Sequence, residues 1–417
     1  MRLTPALFAH AEAAMTALLT FEHPADGALS YYFRQHRELG HADRGFVAEA
    51  CYATLRRLRS LSARCPDDQP RKLLLAAMYC LRGWNQKQLA PILKDGDAEW
   101  LAVAKATDTA AWPAAMRCDL PDWLYERLAA RFPGDIEALA TALNRPAPLD
   151  LRVNPLKTSR EAVLRQLASD HIAAAASPWS PLGIRLEEKP ALSKYPLFVD
   201  GSIEVQDEGS QLLGYLVAPK RGEMVADFCA GAGGKTLLLG ALMRSTGRLY
   251  AFDVAEKRLA NLKPRLARSG LSNVHPVRIE SENDQKVKRL AGKLDRVLVD
   301  APCSGLGTLR RNPDLKWRQS PESVAELTAK QAAILASASR LVKPGGRLVY
   351  ATCSLLAEEN EAIVGDFLAA HADFRLLPAG EILQRQGIEL AVDGDMLRLL
   401  PQVHGSDGFF AAVMERS

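Results

Sequence analysis

The chain has 417 residues, 48% of them apolar and 24% charged, with a formal net charge of +4. That length exceeds what one hydrophobic core usually fills, so a soluble protein of two or three domains is expected. The mild positive balance admits an anionic partner without requiring one, and no apolar run reaches the roughly 18–20 residues that span a membrane.

Cysteines occur at 51, 65, 80, 118, 229, 303 and 353, without a C-x-x-C pair or a Cys/His cluster. No metal site is expected from such spacing. A chain this long needs no disulfide staples, which favours a reducing compartment. The N-terminal stretch MRLTPALFAHAEAAMTALL carries His10 and Glu12 inside its apolar run, so it reads as an amphipathic helix and not as a signal peptide. The expected location is the cytoplasm, and the expected state is a monomer.

Residues 1–140 read as all-helical. Thr4 and Pro5 form an N-cap and first-turn pair, with Leu7, Ala11, Ala14 and Leu18 following on one face. Asp43 is expected to cap a helix that buries Val47, Cys51, Leu55 and Leu58 and turns Arg56, Arg57 and Arg59 outward. The run RKLLLAAMYCLRG closes on Gly83, a helix-ending residue. Cys51 and Cys80 are assigned to core packing. At RPAPLDLRVNPLK two prolines end the helical pattern, and the short extended pieces LDLRVN, GIRLEE and LFVD give residues 145–205 the look of a small α+β module. Within it Arg152, Asn154 and Lys157 either contact a nucleic acid or hold structure; both readings stay open.

Residues 206–417 alternate strand and helix, the pattern of a parallel sheet with right-handed crossovers. Candidate strands are MVADFCA, RLYAFD, VHPVRI, RVLVDAP and GRLVYATC, and MLRLLPQ with GFFAAVMER suits an antiparallel pair at one edge. The expectation is a seven-stranded Rossmann-like α/β domain.

The first of these strands runs into DFCAGAGGKT, Asp227 to Thr236. A P-loop needs glycine where Cys229 stands, and the dinucleotide fingerprint needs one where Thr236 stands. Asp227, Gly231 and Gly233 do satisfy acid-x-x-x-Gly-x-Gly, the arrangement of S-adenosylmethionine (SAM) methyltransferases. Asp253, ending the second strand, is placed to accept hydrogen bonds from ribose hydroxyls. The plain alternative for such a loop is a tight strand-to-helix turn.

Ligands of an open parallel sheet sit beyond the carboxyl ends of its strands. Asp300 and Cys303, in VDAPCSG, and Cys353, in VYATCS, fall at two such ends. Amino-group methyltransferases show Asn/Asp-Pro-Pro-aromatic at this position; here it reads Asp300-Ala301-Pro302-Cys303. A thiol is what methylation at carbon 5 of a pyrimidine requires, because addition to carbon 6 turns carbon 5 into a nucleophile. Asp300 is suited to hold the pyrimidine edge while charge develops on the ring. The attacking sulfur must be a thiolate, and Lys235 is a candidate contributor to that activation.

The runs VLVDAPCSGLGTLRRNPDLKWR and LVYATCS, with VQDEGSQLLG, LVKPGGRLVY and GSDGFFAAVM, resemble RNA cytosine-C5 methyltransferases of the Nop2/Sun family, in its bacterial RsmB type. The resemblance covers the whole catalytic half. DLRVNPLK resembles the small RNA-facing module of that family, and ADRGFVAEACYATLRRL its NusB-like helical RNA-binding domain. The resemblance implies a class I SAM methyltransferase fold acting on RNA, with 16S rRNA as the substrate of the type. It makes Cys353 the nucleophile, Cys303 the residue that assists product release and Asp300 the cytosine contact. It places SAM on Cys229, Ala230, Gly231, Ala232, Gly233, Gly234, Lys235, Asp253 and Arg258, with Asp300 beside them. The family's Asp-Gly after the third strand is replaced by Glu280-Ser281, so the adenine contact falls to Glu280, with Asp284 as the second candidate. After the motif, Arg310, Arg311, Lys316, Trp317 and Arg318 combine cations with an aromatic ring. They either track RNA phosphates and stack on a base, or form a solvated basic loop with a buried Trp317. Competing with this enzyme are the same chemistry on transfer RNA and a catalytically silent RNA- or ribosome-binding factor.

Overall fold

A computed structural model describes residues 3–65 and 67–417. The chain divides into two compact units: one holds the chain up to Pro146 together with Thr308–Pro321, the other Ala147–Gly307 and Glu322–Ser417. Among the described residues no helix is long and apolar enough to cross a membrane.

The first unit is helical. Its opening helix, Pro5–Leu18, is capped by the Thr4 hydroxyl, which accepts the Leu7 N–H at 3.2 Å, and buries Leu7, Phe8, Ala11, Ala14, Met15 and Leu18. The third helix, His41–Arg56, begins before Asp43, which sits in its first turn and accepts the Gly40 N–H at 3.3 Å instead of serving as the cap. Its arginine-rich end also departs from expectation. Arg57 reaches the buried carboxylate of Asp119 at 3.2 Å, and Arg59 donates to the Leu120 carbonyl at 2.5 Å. These cations tie helices together instead of pointing into solvent.

Thr308–Pro321 belongs to this unit, although residues 206–417 were expected to form one domain. The reason is hydrogen bonding. Asp314 accepts the Ala25 N–H at 3.1 Å, the Trp317 indole donates to the Leu55 carbonyl at 2.9 Å, and Arg56 donates to the Arg310 carbonyl at 2.9 Å. The Ala25 N–H and the Leu55 carbonyl stand at the ends of helices, where backbone groups lack intrahelical partners and must be satisfied from elsewhere.

The second unit contains two sheets. The smaller is antiparallel in the order β2-β3-β1-β4, from β1 Leu149–Val153, β2 Ala174–Ala176, β3 Gly183–Leu186 and β4 Ile203–Val205. The larger has eight strands instead of the seven expected: β5 Met224–Asp227, β6 Arg248–Asp253, β7 Val274–Arg278, β8 Leu294–Asp300, β9 Val342–Thr352, β10 Phe374–Leu377, β11 Leu397–Leu399 and β12 Phe409–Arg416. The order is β10-β12-β9-β8-β5-β6-β7, with β11 also on β12. Strands β5 to β9 pair in parallel, and β12 is antiparallel to β9, β10 and β11.

Successive residues of the central strands enter two different cores. Leu298 and Val349 pack with the helices on one face, while Val297, Val299, Leu348 and Tyr350 pack on the other. A sheet covered on both faces explains the unbroken apolar runs of these strands. The strand order reverses between β5 and β8, since β5 leads to β6 on one side and pairs with β8 on the other. The fold therefore opens a crevice at the carboxyl ends of β5 and β8.

Candidate active site

The loop after β5 starts the helix Gly234–Leu242. Gly233 has φ +84°, and a Cβ there would meet the Leu262 side chain at 2.1 Å, so only glycine fits. The Gly231 N–H donates to one oxygen of Asp253 at 2.8 Å, and the Ala255 N–H donates to the other at 2.7 Å. The loop is also held from behind by two arginines. Arg152 donates to the Gly234 carbonyl at 2.6 Å and to Gln206, and Arg265 donates to the Ala232 carbonyl at 2.7 Å.

Three features suit SAM. Gly231, at φ +56°, has open space where a Cβ would stand. Asp253 is buried, and each of its oxygens keeps a lone pair beyond the one used by the backbone. Asp227 is buried; one oxygen accepts the Thr236 hydroxyl at 2.7 Å, while the other has no hydrogen-bond partner. Burial pushes the Asp227 carboxyl up to about 7. A buried acid with an unused oxygen suits the cationic end of an amino-acid-bearing cofactor.

At the neighbouring strand ends, Lys235 donates to Asp300 at 2.6 Å. Burial alone would lower the Lys235 ammonium, but the charge and hydrogen bond of Asp300 outweigh it and leave it raised. Cys303 and Cys353 bring their sulfurs to 3.4 Å, both half-buried. The register explains this meeting: Asp300 pairs with Ala351 on adjacent parallel strands, so both chains leave the sheet side by side. Gly307 then donates its N–H to the Cys353 carbonyl at 2.8 Å, and a Cβ at Gly307 would lie 2.1 Å from the Gly408 carbonyl. The hydrogen bond to Cys353 and burial together raise the Cys303 thiol well above its usual range, and burial foremost raises that of Cys229.

Other residues singled out from the sequence lie differently. Arg258 is exposed in the first turn of the helix Glu256–Ser269. Glu280 is exposed, and its N–H donates to Asp284 at 2.9 Å. Arg152, Asn154 and Lys316 are buried. Asn154 donates to the Gly201 and Ser269 carbonyls at 3.0 and 2.9 Å, and Lys316 to the Arg56 carbonyl and the Asn144 side chain, both at 2.8 Å. Lys157 is exposed and donates to the Asp200 carbonyl. Arg310, Arg311, Trp317 and Arg318 are half-buried. Sequence reading passed over Arg265 and Glu359, which carry no motif of their own.

One group among the described residues has metal-ligand spacing: His10, His36 and Glu38, with ligand atoms within 4.8 Å of one another. Their nitrogens are engaged locally, His10 with the Tyr32 hydroxyl and His36 with Glu38, each at 2.9 Å.

The mixed sheet, its switch-point crevice and the glycine loop define a class I SAM methyltransferase fold. A family model described as 16S rRNA methyltransferase RsmB/F matches residues 214–415, and one described as the RsmF/B-like ferredoxin-like domain matches residues 120–193. A probable ribosomal RNA small subunit methyltransferase B of Synechocystis is 34% identical, across 92% of this chain and 93% of that one. The chain belongs to the RsmB/F family of 16S rRNA methyltransferases and is of the RsmB type. Among solved structures, PH0851 superimposes over all of both chains with a TM-score of 0.80 and 26% identity. NSun6 from Pyrococcus horikoshii, solved with a SAM analogue, shares the fold across 71% of this chain and 98% of that one, with a TM-score of 0.63 and 21% identity.

Proposed function

We propose that this protein methylates carbon 5 of a cytosine in 16S rRNA, through a covalent bond between Cys353 and carbon 6 of the base. The observation that carries the reading is the 3.4 Å approach of two thiols from adjacent strand ends, beside the Lys235–Asp300 pair. Family membership supplies the RNA class of the substrate.

SAM, when bound, supplies an electrophilic sulfonium methyl group. Gly231 to Lys235 and Asp253 would hold it, with Cys229 and Ala230 leading into the loop and Arg258, Glu280 and Asp284 as the further candidate contacts. Cys353 adds as thiolate to carbon 6, and the new C–S bond moves electron density to carbon 5. Asp300, oriented by Lys235, holds the polar edge of the ring while charge builds there. After methylation a base takes the carbon-5 proton, the electron pair left behind forms the carbon 5–carbon 6 double bond, and the C–S bond breaks with its pair returning to Cys353. Cys303 acts at this release step.

Each cysteine is tested by denaturing gel after incubation with substrate RNA and SAM. Cys353→Ala should give neither methyl transfer nor a protein–RNA adduct. Cys303→Ala should accumulate the adduct, because release stalls. An adduct with Cys353→Ala and none with Cys303→Ala reverses the roles, and none with either variant or with wild type removes the covalent mechanism.

A further inference from the structure

Each of the two thiols is followed by a serine, and both serines bind one carboxylate. Glu359 is completely buried. One of its oxygens accepts the Ser304 N–H at 2.8 Å and the Gln331 side-chain amide at 3.0 Å. The other accepts the Ser304 hydroxyl at 2.5 Å and the Ser354 hydroxyl. Gln331 also donates to the Pro302 carbonyl at 3.0 Å, just before Cys303. The next residue, Asn360, accepts the Thr352 hydroxyl at 2.5 Å and donates to the Ser354 carbonyl at 3.0 Å, so it grips the chain on both sides of Cys353. The Tyr350 hydroxyl donates to the Glu359 carbonyl at 2.7 Å and fixes the turn that carries both.

Four donors from three separate segments satisfy this one anion, and two of those segments hold the reacting sulfurs. No cation is among the four contacts. A buried carboxylate is costly unless fully hydrogen-bonded, and a hydrophobic side chain would fill the same volume more cheaply. Hydrogen bonds to a charged group are also the directional ones, and direction is what a two-thiol site needs. The negative charge additionally disfavours a second anion nearby. It contributes to the raised thiol of Cys303, behind the Cys353 hydrogen bond and burial.

We infer that Glu359 is a positioning residue that locks the Cys303 and Cys353 loops to each other and so sets the distance between the two thiols. This deepens the cysteine mechanism proposed above and rests on it for its catalytic consequence, but the geometry can be read without any RNA. Two thiols held at contact close to a disulfide quickly when an azodicarboxamide oxidant, diamide, takes up their two electrons and two protons. Mass spectrometry of the Cys303–Cys353 cross-linked peptide follows that closure.

Glu359→Ala should slow closure at least tenfold, which lies well within what loss of a preorganised geometry costs. It should lower single-turnover methyl transfer about 100-fold, the effect of displacing reacting groups by an ångström. SAM affinity, measured by calorimetry, should stay unchanged. Glu359→Gln keeps the shape, and its amide can donate to the two serine hydroxyls, so it should restore most of both rates. Wild-type closure with wild-type methyl transfer in Glu359→Ala overturns the inference, as does a loss confined to SAM affinity. If Glu359→Ala does not fold, Ser354→Ala cuts one tie alone; slowed closure there supports the inference and wild-type closure overturns it. Failure of Cys303→Ala to accumulate an RNA adduct would defeat the cysteine mechanism while leaving the closure measurement decisive for Glu359.

Discussion

Lys235 in the α/β unit and Lys316 in the helical unit are both withdrawn from water, yet their surroundings push them in opposite directions. Lys235 meets a carboxylate, Asp300, and its pKa is raised in spite of burial. Lys316 meets only neutral oxygens, the Arg56 carbonyl and the Asn144 side chain, and burial pulls its pKa down to about 7. A buried cation facing an anion is arranged to keep its charge. One facing carbonyls is arranged to satisfy them, and gives up its charge readily. In the proposed mechanism the first arrangement belongs to a site where charge develops on a substrate; the second closes a seam between helices.

The sharpest way to break this comparison is at Lys235. Lys235→Met removes the cation from Asp300 and should lower single-turnover methyl transfer, at saturating SAM, about 100-fold, as expected for one lost preorganised donor. The Tm should shift little, because both partners keep some exposure, 11% for Lys235 and 28% for Asp300. A variant within threefold of wild type would show that the pair is structural, like Lys316.

Arg152 is an intermediate case. It is a buried cation in the α/β unit whose contacts are neutral, the Gly234 carbonyl and Gln206, and burial lowers it to about 10. Its partner carbonyl belongs to the glycine loop, so its effect should appear in cofactor binding. Arg152→Ala should weaken SAM about tenfold, roughly the value of one hydrogen bond to a charged group, with the rate at saturating SAM preserved. If the variant instead loses RNA affinity at constant SAM affinity, the RNA-contact reading returns.

Much of the α/β unit was legible because its signals are local. The β5, β6, β8 and β9 runs place apolar residues on both faces, and the glycine loop and strand-end residues are short motifs read in place. What escaped is what depends on partners distant in sequence. β10 lies in ADFRLL, too short and too polar to stand out, and is a strand because β12 offers an antiparallel edge. Thr308–Pro321 follows the motif without a break, and only bonds to residues such as Ala25 and Leu55 assign it to the helical unit. For Arg152 and Lys316 the phosphate-contact and structural readings both stayed open in the sequence, because side-chain type says nothing of burial. Glu359 sits in AEEN among other acids, and no local pattern separates the one that is buried.

The smallest effect tests the other side of the comparison. Lys316 titrates near 7 in the folded chain and near 10.5 when unfolded. Below pH 7 both states hold the proton, so the full burial penalty opposes folding. Between pH 7 and 10.5 the folded state has released the proton and the unfolded state still holds it. The unfolded state binds more protons there, so stability rises with pH, by about 1 kcal/mol per pH unit for one fully decoupled group. Lys316→Met removes this contribution and also leaves the Arg56 and Asn144 oxygens unsatisfied, a cost that does not depend on pH. Thermal unfolding of wild type and variant at pH 6.5, 8 and 9.5, followed by near-UV circular dichroism, separates the two. Other titrating groups, the thiols included, contribute equally to both proteins and cancel in the difference. The wild-type advantage should grow from pH 6.5 to 9.5. A difference that stays constant would mean that Lys316 keeps its proton in the folded chain, which requires an anion's influence as strong as that of Asp300 on Lys235.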